Sequence, residues 1–171
     1  MLSSVLMPCM RRPWIPCYGV HPWRAHTVAP GWVARLAARL EAQPSACVGE
    51  IGLDKAAKTP ETKRCEFADQ KEVFRVQLAL AGRLGRPVSV HCVRAAGTVL
   101  EAVDTLAVNR CAPPVVAMHS YGGAPELIPP FLALCKKGVD VYFGFSLSVN
   151  GRDDRSVSHM RACLAVVPPD R

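Results

Sequence analysis

Residues 87–91, Pro-Val-Ser-Val-His, contain the pattern that decides the fold of this chain. A short apolar run of strand type ends there in a side chain that can bind a metal ion or a proton. The 171-residue sequence has four more such runs, over 18–21, 47–50, 115–119 and 139–150. Sites in parallel α/β proteins form at the carboxyl ends of the strands. A histidine or carboxylate after four of the five runs therefore predicts a metal or acid–base site.

Segments with helical periodicity lie between the runs. The clearest is predicted over 66–84, where Gly85 and Pro87 end the helix and open the next strand. Other helices are predicted over 32–40 and 95–108, around 127–134 with a stop at Gly138, and over 153–166. A strand followed by a helix, repeated along the chain, predicts an α/β fold with parallel strands.

The number of repeats narrows the choice of architecture. Five βα units are visible, whereas a closed (β/α)₈ barrel needs eight units and about 250 residues. No Gly-x-Gly-x-x-Gly follows the first run, which disfavours an open dinucleotide-binding sheet. The predicted fold is therefore a partial TIM (β/α)₈ barrel of about five units. Residues 13–171 form it, and residues 1–12 are predicted to lie outside the domain.

Composition limits the class of protein. The net charge is +7 and the pI about 9.2, which fits either an anionic partner such as nucleic acid or an ordinary basic surface. Eight cysteines without a Cys-x-x-Cys pair fit reduced thiols rather than a disulfide framework. No run approaches the ~18 apolar residues of a membrane span. A cytoplasmic or nuclear protein is expected, with an organelle as the alternative.

Glu50, His91 and His119 form the strongest chemical constellation. They are 41 and 28 residues apart, as expected for the ends of successive βα units. A single strand-end histidine is more often a hydrogen-bonded core residue, but two histidines with a carboxylate can hold a divalent ion and leave positions open for water and substrate. Mg²⁺, Mn²⁺ and Zn²⁺ are the candidates. His26 and His159 follow no run and are expected at the surface.

Four motifs, in order, carry a resemblance to a known family. They are Gly-Val-His-Pro-Trp at 19–23, Val-Gly-Glu-Ile-Gly-Leu-Asp at 48–54, Pro-Val-Ser-Val-His-Cys at 87–92 and His-Ser-Tyr-Gly-Gly at 119–123. Together with the Gln70-x-x-Val-Phe-x-x-Gln77 helix, they resemble the TatD family of metal-dependent deoxyribonucleases from Tyr18 to Arg171.

The resemblance implies a (β/α)₈ barrel whose two-metal site hydrolyses phosphodiester bonds in DNA. It implies that Glu50 is the carboxylate bridging the metals and that His91 and His119 bind one of the ions. His21 takes a position near the site. Three side chains are candidates for substrate contact: His21, Lys55 and Ser120. Lys55 would meet DNA phosphates or form a solvated face, and Ser120 opens a flexible turn that could cradle a phosphate.

The sequence departs from the family pattern in two motifs. It contains neither the family's His-x-His pair nor its Glu-Thr-Asp segment, so the resemblance implies a chain shortened at both ends. Weak binding of a second metal, little turnover and aggregation through unpaired strand edges are then expected. Two alternatives stay open: an amide or ester hydrolase of the same barrel type, and a non-catalytic product. The oligomeric state is not predicted.

Overall fold

The computed structural model describes residues 15–171, so the predicted non-domain segment 1–12 lies outside the described residues. Five strands are present: β1 (Cys17–Tyr18), β2 (Cys47–Asp54), β3 (Val88–Val93), β4 (Val115–His119) and β5 (Asp140–Phe143). Six α-helices lie between and after the strands: α1 (Trp32–Ala42), α2 (Phe67–Arg83), α3 (Ala96–Val108), α4 (Ile128–Leu132), α5 (Leu147–Asn150) and α6 (Asp154–Leu164). One 3₁₀ segment follows β1, over Pro22–Thr27.

The strands form one parallel sheet in the order β1-β2-β3-β4-β5. Each strand thus pairs with its neighbour in the chain, whereas a doubly wound sheet contains a point where the strand order reverses. Consecutive parallel order is the order of strands around a (β/α)₈ barrel. The five βα units therefore make an arc of such a barrel, as the sequence predicts.

Successive side chains of each strand point alternately to the two faces of the arc. The face toward the helices is fully buried at Val48, Val88, Val90, Val116 and Met118, and α2 packs there through its apolar side chains. The opposite, inner face is only partly covered, and Tyr142 is 40% exposed on it. Helices on one face and an open inner face leave the carboxyl edge of the sheet accessible.

Two strands are shorter than their apolar runs. The run to Val20 is predicted as strand, but β1 ends at Tyr18 because the side chain of Gln77 pairs with the backbone of Val20. At the other end, β5 stops at Phe143 and Leu147 begins a helix instead of continuing the strand. By contrast, β2 continues through the whole motif to Asp54.

The fourth predicted helix is divided into three short segments. A 3₁₀ turn at Pro125–Leu127 leads into α4, and a second over Ala133–Lys137 follows it. Pro129 and Pro130 lack backbone N–H groups, so regular helical hydrogen bonding fails there. Gly138 ends the segment with a φ of +81°, which glycine adopts without strain.

In the part of the chain from residue 15 onward, no helix is long and apolar enough to cross a membrane. The seven cysteines in that part are free thiols.

Candidate metal centre

A bulge in β2 sets the direction of Glu50. Val48 pairs with Val88 and Ile51 pairs with Val90, so a step of three residues on β2 opposes a step of two on β3. The extra residue shifts the alternation of side chains, as bulges do beside many active sites. Glu50 consequently faces His91 of the neighbouring β3 and His119 at the end of β4.

Gly52 allows β2 and β3 to approach closely behind this carboxylate. Its φ is +148°, and a Cβ built on it would lie 1.8 Å from the carbonyl oxygen of His91. No other residue type fits this position without moving the backbone that carries His91.

The carboxylate and three imidazoles converge at this edge. Glu50 Oε1 lies 3.6 Å from His91 Nδ1 and 3.8 Å from His119 Nε2. One ring nitrogen of His21 lies within 4.8 Å of ligand atoms of both Glu50 and His91. His119 is the most open of the group, with 58% of its side chain exposed, and it joins the cluster through Glu50. His21, Glu50 and His91 form the compact set that could hold a metal ion.

The donor set fits a cation. Glu50 Oε1 is buried and has no hydrogen-bond partner among the described residues. A buried acceptor without a donor is costly, and a bound cation would satisfy it. Burial, followed by the electrostatic effect of neighbouring His91, lowers the pKa of His21. This shift favours the neutral imidazole, which has a lone pair for a metal.

Asp54 orients His91 from the side away from Glu50. Its Oδ2 lies 3.1 Å from His91 Nε2 and accepts a hydrogen bond from the indole N–H of Trp23 at 2.7 Å. The amides of Ala56 and Ala57 donate to its other oxygen. Burial raises the pKa of Asp54, but the hydrogen bonds from Trp23 and His91 outweigh burial and bring it below its ordinary value. An ionised Asp54 holds the Nε2 proton of His91, which leaves the Nδ1 lone pair directed at Glu50.

Two buried glutamines of α2 hold the backbone on both sides of the cluster. Gln77 accepts from Val20 N at 2.6 Å and donates to Val20 O at 3.1 Å. Gln70 makes the same pair of bonds with Asp54, accepting from N at 2.7 Å and donating to O at 3.0 Å. Each side-chain amide thus replaces a strand neighbour at the residue where the chain leaves the sheet.

The other predicted substrate residues lie at different places. The ammonium group of Lys55 sits over the ring of Phe67, 5.1 Å from its centroid, and so turns toward the start of α2. Ser120 directly follows His119 and places its Oγ 3.0 Å from Ser146 Oγ.

The two remaining histidines and Cys92 have defined environments. His26 and His159 are half-buried rather than at the surface, since His26 approaches Glu61 and His159 approaches the carbonyl oxygen of Gly123 at 3.0 Å. Cys92 is buried on the face opposite His91. Burial raises its pKa to about 11, so it is a protonated core thiol at pH 7 and not a nucleophile.

Sequence reasoning assigned no role to Asp54 and ranked His21 below the other ligands. The available signal was that each stands where an apolar run ends, Asp54 at the end of β2 and His21 three residues after β1. By strand alternation Asp54 lies on the same face as Glu50. That Asp54 reaches His91 depends on the register between β2 and β3, which sequence alone does not reveal.

Comparisons with known proteins give the family and the fold of the chain. The family model described as TatD related DNase matches residues 10–171. The 3'-5' ssDNA/RNA exonuclease TatD of Edwardsiella piscicida is 31% identical over 157 residues, which cover 90% of this chain and 53% of that protein. The Cut9-interacting protein scn1 of Schizosaccharomyces pombe is 27% identical over 172 residues, covering 77% and 50% respectively. The chain spans about half the length of the curated relatives it matches.

A crystal structure of a TatD homologue from Escherichia coli superposes on this chain with a TM-score of 0.58 at 24% identity. The match covers 75% of this chain and 46% of that one. At this identity the likeness concerns the fold, and it confirms the α/β partial barrel predicted from the sequence.

Proposed function

The chain belongs to the TatD-related DNase family, and from that membership we propose that its metal centre acts in the hydrolysis of phosphodiester bonds in single-stranded DNA. The observation that carries the proposal is Glu50 Oε1, which is buried between the ring nitrogens of His91 and His119 and has no hydrogen-bond donor among residues 15–171. Relatives named as 3'-5' ssDNA/RNA exonucleases support the choice of single-stranded DNA as the substrate.

His21, Glu50 and His91 would hold the ion, with His119 at the open side. A divalent ion held there would lower the pKa of a water molecule and stabilise negative charge on a phosphoryl oxygen. Of the three candidate ions, Zn²⁺ should bind most tightly because imidazole favours it, and Mg²⁺ least tightly.

Asp54 and Trp23 would orient the metal ligand His91 and the substrate. Asp54 retains the proton of His91 at Nε2, and the indole N–H of Trp23 holds Asp54 in place. The ring of Trp23 is 59% exposed beside the cluster, where an unpaired base can stack on it. A stacking platform suits single strands, since the bases of a duplex are already stacked.

Metal titration is the first test. Calorimetry with Zn²⁺ and Mn²⁺ should give binding by the wild-type chain, and Glu50→Gln should abolish it. Glu41→Gln is the matched control, because Glu41 is exposed on α1. Unchanged binding by Glu50→Gln would contradict the proposed centre.

Cleavage of end-labelled single-stranded DNA is the second test. Because the sequence lacks the family's His-x-His pair, we expect slow, metal-dependent cleavage. Losing one electrostatic group typically costs a factor of ~10²–10³ in rate, so Glu50→Gln and His91→Ala should bring cleavage to background. Hydrolysis of amide or ester substrates without cleavage of DNA would instead favour a different hydrolase of this barrel type.

A further inference from the structure

We propose that a cavity at the carboxyl edge of the sheet, beside the metal centre, binds a backbone phosphate of single-stranded nucleic acid. The inference rests on the proposed function and extends it to a substrate subsite. The cavity has a volume of about 360 Å³, and three arginines line it: Arg94, Arg152 and Arg155. We call it the arginine cavity.

The position of the arginine cavity follows from the strand order. Its walls include Cys92 to Arg94, directly after His91 on β3, and Ser120, directly after His119 on β4. The third wall comes from the chain after β5 and the start of α6, which carry Arg152 and Arg155. A strand crossing the metal centre toward β5 therefore meets this cavity next.

The charges of the arginine cavity are available to a ligand. Among residues 15–171, none of its guanidinium groups makes a salt bridge or a side-chain hydrogen bond, whereas Arg75, Lys137 and Arg171 each contact a carboxylate. Arginine binds phosphate through paired N–H groups of fixed geometry. Three cations without acidic partners around one cavity match a phosphodiester better than a neutral ligand.

One carboxylate, that of Asp153, also lines the arginine cavity, and it already accepts a hydrogen bond as the cap of α6. Asp153 caps α6 by accepting the amide of Ser156 at 2.7 Å. Its charge reduces the net charge of the wall but leaves two cations in excess.

The wall that carries Arg152 is held in place by a buried side chain. Asn150, 6% exposed, donates to the carbonyl oxygen of Tyr121 at 2.8 Å and accepts from Ser146 N at 3.0 Å. These bonds connect α5 to the turn after β4. Ordered walls lower the entropic cost of binding, which favours a built subsite over a mobile basic loop.

Fluorescence anisotropy with a labelled oligothymidylate tests the arginine cavity. EDTA is present throughout, so that no metal binds and no cleavage occurs. Loss of one phosphate contact lowers the slope of log Kd against log salt by about 0.7 for a single strand. Arg94→Ala, Arg152→Ala and Arg155→Ala should each weaken binding, and the triple variant should show this full decrease in slope.

The matched controls are Arg83→Ala and Arg110→Ala. Both are exposed; Arg83 is the last residue of α2 and Arg110 comes two residues after α3, so both lie at the opposite edge of the sheet. They change the net charge by the same amount and should leave the slope unchanged. Equal effects in the control variants would mean that binding follows net charge alone, and this would overturn the proposal.

Two further measurements distinguish failure of the arginine cavity from failure of the metal centre. The arginine variants should titrate Zn²⁺ as the wild type does, and Glu50→Gln should bind the oligonucleotide normally in EDTA. Loss of metal binding in Glu50→Gln with unchanged oligonucleotide slopes in the arginine variants would overturn the subsite and leave the metal centre standing. Full competition by inorganic phosphate at the Kd of the oligonucleotide would overturn the assignment to a backbone phosphodiester.

Discussion

At the scale of the residue, Asp54 determines which nitrogen of His91 is free. A carboxylate at Nε2 accepts the proton there and leaves Nδ1 with its lone pair, 3.6 Å from Glu50 Oε1. Two backbone amides and the indole of Trp23 hold that carboxylate, so its position is nearly fixed. Metal-binding histidines commonly depend on such a partner for their tautomer.

Asp54→Asn should therefore weaken metal binding without removing a ligand. The amide group has the same shape, but its NH₂ would meet N–H donors of Trp23 and His91 or force the His91 proton onto Nδ1. We expect Zn²⁺ affinity to fall by about 10–100-fold, the usual effect of losing such a partner. Calorimetric titration measures it, and an unchanged affinity would show that His91 keeps its tautomer without Asp54.

The pH dependence of stability gives a second readout for the same substitution. The pKa of Asp54 is lower in the folded protein than in the unfolded chain. Its contribution to stability is thus complete above the unfolded value of about 3.9 and is lost as the pH falls through the folded pKa. Chemical unfolding should show the wild type losing its advantage over Asp54→Asn only in that acidic range. Asp104→Asn, which breaks a surface ion pair with Lys137, serves as the control.

At the scale of the element, α2 supports the site through its two glutamines. The apolar stripe of this helix packs on the sheet, and Gln70 and Gln77 lie within that stripe at 3% and 0% exposure. Each is fully paired by a backbone N–H and C=O, so burial of the amide costs little. The helix therefore contributes geometry as well as apolar area.

Gln77→Leu should disturb both stability and the site. It keeps an apolar side chain in the core but leaves the N–H and C=O of Val20 without partners. Each buried group without a partner costs about 1–3 kcal/mol. Because His21 directly follows Val20, metal affinity should fall together with the thermal midpoint. Gln43→Leu is the control, since Gln43 accepts only from the hydroxyl of Tyr18 at the surface. A stable Gln77→Leu protein with normal metal binding would contradict this role for α2.

The elements also show what sequence could and could not predict. The helix over 66–84 and the strand before His91 follow from local periodicity, and the structure has them as α2 and β3. The end of β1 depends on Gln77, which is 57 residues away from Val20 in the chain. Periodicity assigns Gln77 to a buried stripe but cannot identify its partner. The bulge beside Glu50 likewise depends on the register between strands and has no local signal.

At the scale of the whole molecule, the open inner face favours self-association and the net charge opposes it. Within the described residues, β1 and β5 are edge strands, and the chain end covers part of β5 through a bond from Phe143 N to Arg171 O. Tyr142 lies on the inner face with Arg171 over its ring. Apolar surface and free edges favour association, whereas a net charge of +7 keeps molecules apart.

Self-association should therefore increase with salt. Screening shortens the range of repulsion to about 8 Å at physiological ionic strength, while apolar contact is little affected. Sedimentation velocity at low and high NaCl should show a shift toward larger species, reduced by Tyr142→Ser. Val108→Ser removes an apolar side chain of the outer surface that is more exposed than Tyr142, and it should have no effect. A monomer at every salt concentration would mean that the inner face does not associate.

The two glutamine clamps of α2 have a mechanical consequence. Gln77 and Gln70 bond the backbone of Val20 and Asp54 to the same helix, α2. A displacement of α2 therefore moves His21 and Asp54 together and preserves the spacing between them. Asp54 is also bonded to His91 of β3, so this histidine is coupled to the same helix. His119 belongs to β4, which pairs with neither β1 nor β2. Fluctuations of His21, Asp54 and His91 should therefore be correlated, and His119 should share them least.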